Sequence, residues 1–123
     1  MVMTEKSIKD KKLILEGIPA SPGLAEGRAK VVFSALEALE KISDGDILIT
    51  PMTDPDYVIA MMKSAGVITN FGGILCHAAI VSRELGKPCI VGTKVATEVI
   101  KEGERILMDG TTGKIYLLEE SRP

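Results

Sequence analysis

Gly72-Gly73-Ile74-Leu75-Cys76-His77-Ala78-Ala79 sets a glycine pair, a cysteine and the chain's single histidine within eight residues. An imidazole keeps an unprotonated nitrogen near neutral pH and can act as a nucleophile. Phosphoryl transfer to that nitrogen also needs donors for the oxygens of the moving group. The run after His77 has helical character, and a helix start offers unpaired N–H groups and a partial positive charge that disfavours imidazolium. Gly72 and Gly73 allow close approach of the backbone. Spacing alone leaves two readings of His77 open, a phosphoryl carrier and a structural histidine. Other chemistry fits less well. Cys76 and His77 are adjacent in sequence and lack an orienting Asn or Asp, so they do not make a thiol–imidazole pair. Asp54 and Asp56 are explained by helix capping, and Met61 and Met62 read as core. Arg83 stands about two helical turns beyond His77, better placed for a neighbouring loop or a docked partner than for the ring.

The elements that must position these residues follow from periodicity and punctuation. Strands are expected at Leu13 to Glu16, Ala25 to Phe33, Asp46 to Thr50, Gly66 to Thr69, Pro88 to Val91, Glu104 to Met108 and Lys114 to Leu118. The stretch Gly17 to Gly23 reads as a turn-rich connection. Ser34 is expected to cap a helix over 35–42 with Leu36, Leu39 and Ile42 as its apolar stripe. Asp54 and Pro55 open a second helix, with Val58, Ile59, Met61 and Met62 on its apolar side and Gly66 at its end. A third runs from His77 to Leu85 and stops at Gly86. Ala96 to Lys101 forms a helical turn or two, and Asp109 to Gly113 closes a hairpin. Alternating strands and helices flanked by hairpin-like strands predict a layered α/β or α+β domain, in which a strand–glycine loop–helix junction is a common place for an active site.

Composition narrows the function classes. A net charge of -2 gives no reason to expect nucleic acid or an anionic membrane as partner. Two cysteines make no disulfide framework, and one histidine with two cysteines argues against a structural zinc site. No run approaches the ~20 apolar residues of a membrane span, and the N-terminus has no secretory pattern, so a cytoplasmic location is expected. Lys9, Lys11 and Lys12 read as part of a solvated arm. With aromatic residues at 3%, the core must rest on aliphatic side chains.

Gly72 to Gly92 resembles the signature of the phosphoenolpyruvate-utilising enzymes, a family that includes phosphoenolpyruvate synthase, pyruvate phosphate dikinase and enzyme I of the sugar phosphotransferase system. The likeness extends to Ala20 to Gly23 with Gly27 and Arg28, to Thr50 to Asp56, to Ala65 to Asn70 and to Asp109 to Tyr116. It implies an α/β fold, the three-layer β/β/α swivelling phosphohistidine domain, over residues 13–118, with an N-terminal arm at 1–12 and a tail at 119–123. It makes His77 the phosphorylated residue, with Gly72, Gly73, Cys76, Ala78 and Arg83 supporting the phosphate loop. Such a domain shuttles phosphate between nucleotide-binding and phosphoenolpyruvate- or pyruvate-binding domains. At this length both must lie on separate chains or domains, and Mg2+ and nucleotide are expected there, with no metal or cofactor on this chain. Leu75 departs from the family's usual Thr, Ser or Asn, which excludes control by phosphorylation at that position. The competing reading is a non-catalytic, partner-binding or regulatory module that keeps the fold.

Overall fold

The computed structural model describes residues 11–118. Most of the expected arm and the whole tail lie outside them. The strands are β1 Lys11–Glu16, β2 Ile18–Ser21, β3 Leu24–Val31, β4 Ile47–Thr50, β5 Gly66–Thr69, β6 Cys89–Val91, β7 Arg105–Asp109 and β8 Lys114–Leu118. The helices are α1 Ala35–Lys41, α2 Val58–Lys63 after a 3-10 turn at Pro55–Tyr57, α3 His77–Leu85 and α4 Ala96–Val99.

The strands run in the order β1-β8-β7-β3-β4-β5-β6-β2. β3 belongs to two sheets. Its first half pairs antiparallel with β7 and its second half pairs parallel with β4. One sheet is therefore β1-β8-β7-β3, and the other is β3-β4-β5-β6 in parallel with β2 antiparallel at its edge.

Strand alternation distributes the core between two layers. Leu48, Val67, Cys89 and Val91 face α1, α2 and α3, where Ala38, Ala60, Met61, Ala78 and Ala79 meet them. Ile47, Ile49, Ile68 and Ile90 face the other way, against Ile106, Met108 and Ile115 of the second sheet and Ala96 and Ile100 around α4. The result is a sheet on a sheet on helices, a three-layer β/β/α arrangement.

Several expectations need correction. β2 occupies a stretch read as turn, because Pro19 lies on an edge strand, where the missing N–H is tolerated. β1 starts two residues early: Lys11 and Lys12 pair with Leu118 and Leu117, and the Lys11 ammonium lies 4.3 Å from the Tyr116 ring centre. On α1 the stripe of Leu36 and Leu39 faces outward, and the smaller Ala35 and Ala38 turn inward with Ile42. Alanines let the helix lie close to the sheet, and that contact decides the facing. On α2, Met61 and Ala60 are buried, whereas Ile59 and Met62 are exposed. That helix ends at Lys63, and Gly66 already belongs to β5.

Candidate functional site

Because β3, β4, β5 and β6 are parallel, the loops that follow them gather at one edge of the sheet. The loop after β5 is the glycine segment, and it delivers His77 as the first residue of α3. The loop after β4 is stiffened by Asp54, whose carboxylate accepts from the Asp56 N–H at 2.8 Å, and by Pro55 at the start of the turn. Two backbone bonds join these loops, Asn70 N–H to Thr50 C=O at 3.3 Å and Phe71 N–H to Pro51 C=O at 3.0 Å. So held, Thr53 places its hydroxyl 2.8 Å from His77 Nδ1. Thr53 is buried and the histidine half-buried. With Nδ1 occupied, Nε2 is the ring nitrogen left for chemistry, and an Nδ1–H donating to Thr53 Oγ1 leaves Nε2 with its lone pair.

The start of α3 is open. Cys76 is its N-cap and makes no side-chain capping bond. Within the described residues the N–H groups of His77, Ala78 and Ala79 have no acceptor, and the helix ladder begins at Ile80 N–H to Cys76 C=O, 3.0 Å. This is the arrangement in which backbone donors and the helix dipole receive an anion.

The other expected loop residues separate by role. Gly72 has φ +119°, and a Cβ there would come within 2.7 Å of Cys76 Sγ, so both conformation and space require glycine. Gly73 has open space around it and ordinary φ. Its carbonyl accepts from the Cys76 N–H at 3.0 Å, closing the loop. Cys76 packs partly against the helix-side core. Ala78 is buried against the sheet, so only its backbone N–H faces the site's open turn. Arg83 does not reach into the site. Its fork donates to Ala20 C=O and to Ile74 C=O, each at 2.8 Å, bracing the histidine loop against β2.

Around the histidine the edge is apolar. Leu75 is 79% exposed, and Phe33, Met52, Phe71 and Ile74 are exposed on the same set of loops. Cys89, by contrast, lies under α3, where burial pushes its thiol up to about 11, the neighbouring Ser82 hydroxyl only partly offsetting this. Among the described residues no three His, Cys, Asp or Glu side chains gather in one place, and no helix is long and apolar enough to cross a membrane.

Sequence reasoning missed Thr53. Nothing in its spacing, 24 residues before the histidine, marks it. The available signal was the rigid Thr50-Pro51-Met52-Thr53-Asp54-Pro55 connection, whose prolines and cap fix a loop with a single hydroxyl at its centre.

Residues 42–113 match the family model of the PEP-utilising enzyme mobile domain. The chain is 52% identical over 112 residues to a probable phosphoenolpyruvate synthase of Methanothermobacter thermautotrophicus, covering 91% of itself and 16% of that protein. It is 50% identical over 111 residues to the phosphoenolpyruvate synthase of Pyrococcus furiosus, covering 90% of itself and 14% of that relative. It thus spans about one-seventh of the length of these relatives. A solution structure of Enzyme I aligns with TM-score 0.55 and 26% identity over 68% of this chain and 34% of the other. Aconitase X of Thermococcus kodakaraensis shares the fold, with TM-score 0.62 and 20% identity over 89% of this chain and 98% of the other. The open helix start and its histidine thus stand on a recognisable scaffold, and the chain belongs to the PEP-utilising enzyme mobile-domain family.

Proposed function

We propose that this chain carries a phosphoryl group on Nε2 of His77, between phosphoenolpyruvate or pyruvate and a nucleotide or other acceptor held by separate chains or domains. The observation that carries the reading is the Thr53–His77 hydrogen bond at the mouth of an uncapped helix. In loading, the Nε2 lone pair attacks phosphorus and the bond from phosphorus to the donor's leaving atom breaks, its electron pair departing with that atom. Thr53 Oγ1 accepts from Nδ1–H and steadies the positive charge that the ring acquires. The N–H groups of His77, Ala78 and Ala79 are donors for the phosphoryl oxygens. In unloading, an acceptor oxygen attacks phosphorus and the N–P pair returns to Nε2.

The partner domains supply the donor, the acceptor and any Mg2+ with its nucleotide; this domain supplies the carrier and does not turn over by itself. Both cysteines are free thiols, which suits a reducing, cytoplasmic setting. The apolar collar suits a face that closes on each partner site and keeps water from the phosphohistidine.

The test is incubation of the pure protein with 32P-labelled phosphoenolpyruvate and catalytic amounts of the Pyrococcus furiosus phosphoenolpyruvate synthase, with the two chains then separated by size. The expected product is an acid-labile, alkali-stable label on this chain that disappears in His77→Ala. A label that survives His77→Ala, or no label at all, overturns the carrier. The exposed Leu75 favours the second reading, a regulatory module, and an unlabelled chain that still binds the partner decides for it.

A further inference from the structure

One residue other than glycine has a left-handed backbone among the described residues: Lys94, with φ +74°. A long unbranched side chain is disfavoured there, and such a residue persists only where its surroundings fix it. Here they do. Thr93 bonds to Thr69 C=O through both its N–H (3.2 Å) and its hydroxyl (3.0 Å), and Lys94 N–H donates to Asn70 C=O at 2.8 Å. Asn70 in turn donates through Nδ2 to Thr97 Oγ1 at 2.8 Å and accepts from Thr97 N–H at 3.1 Å. The segment after β6 is thereby fastened to the root of the histidine loop.

The side chain this strain presents is a free cation. Lys94 is exposed, and its ammonium has no hydrogen bond or ion pair among the described residues. It is also the sole basic residue in the loops after β4, β5 and β6 (51–54, 70–76 and 92–95). Arg83, the cation on the histidine's own helix, is committed to two carbonyls. His77 is drawn towards the β4 loop by Thr53, whereas Lys94 follows β6, two strands away, roughly 10 Å at ordinary strand spacing. Both loops open at the C-terminal edge of the parallel sheet, so Lys94 and the ring share one edge of the domain.

Resting on the carrier reading, we propose that Lys94 pairs with the anionic part of the donor or acceptor itself, on the far side of the transferring phosphoryl group from His77. The ligand class is a phosphorylated or phosphate-accepting small anion, and the contact is made while the partner presents it.

The test crosses charge against backbone. Lys94→Gly and Lys94→Asn remove the charge and suit a positive φ; Lys94→Arg keeps both the charge and the strain. Each variant is loaded at saturating partner from labelled phosphoenolpyruvate, and separately from phosphoramidate, whose leaving group, ammonia, carries no anion. The expected result is about a tenfold loss of the rate from phosphoenolpyruvate in the Gly and Asn variants, near-normal rate in Arg, and unchanged loading of all three from phosphoramidate. Melting temperatures should sort the other way, with Gly and Asn no lower than the parent. Unchanged loading of Lys94→Gly from phosphoenolpyruvate overturns the proposal. So does equal loss from both donors, which would put Lys94 on the transferring phosphoryl group, or a loss confined to the partner concentration required, which would mark a protein–protein contact. If the parent itself is labelled by neither donor, the carrier reading fails instead.

Discussion

Two helix starts in this molecule are built in opposite ways. At α1, Ser34 Oγ accepts from the Glu37 N–H at 3.1 Å, and the Glu37 carboxylate accepts from the Phe33 N–H at 2.7 Å, so side chains close the turn from both directions. At α3 the cap position holds Cys76, whose side chain makes no capping bond, and among the described residues the first-turn donors stay open. A closed cap contributes about 1 kcal/mol to stability. The longest helix among the described residues does without that contribution at the end that carries His77. The contrast separates what holds the fold from what the fold is holding ready.

That comparison can be broken at three points. The largest effect should come from Thr53→Val, which keeps the shape but removes the partner of Nδ1. We expect loading of His77 to fall on the order of tenfold to a hundredfold, with Thr53→Ser recovering most of it. If the valine variant loads as fast as the parent, the ring is oriented by something other than Thr53. Next is Cys76→Asp, which closes α3 as α1 is closed and adds a negative charge. Melting should rise by about 5 °C while loading falls about tenfold; faster loading would mean that the open donors are not where the phosphate is received. The smallest is Ser34→Ala. It should lower stability by about 1 kcal/mol in a denaturant titration and leave the loading rate unchanged, and a change in rate would tie α1 to the site after all.

The chain showed these differences unevenly before it was folded. The bounds of α3 were legible because glycines stand on both sides of it and Gly86, at φ +71°, ends it in the left-handed conformation. β8 was legible because the Asp109 to Gly113 turn delimits it. β2 was hidden, because a proline pair reads as turn unless one knows that the strand is an edge. The facing of α1 was hidden too: it carries two apolar stripes, and only the close approach of alanines to the sheet chooses between them. At the site, the histidine and its glycines were visible as a local pattern. Thr53 was not, since it meets the histidine through a loop that reaches it only when parallel strands align their ends.

The pairing of Lys11 with Leu118 has a mechanical consequence. The first and last described residues are neighbours across one antiparallel ladder, about 5 Å apart, in the sheet that packs on the face of the parallel sheet opposite α3. A longer chain entering at one and leaving at the other would be joined to this unit at a single spot. Two tethers side by side act as one pivot: the unit can turn through a wide arc without stretching either of them.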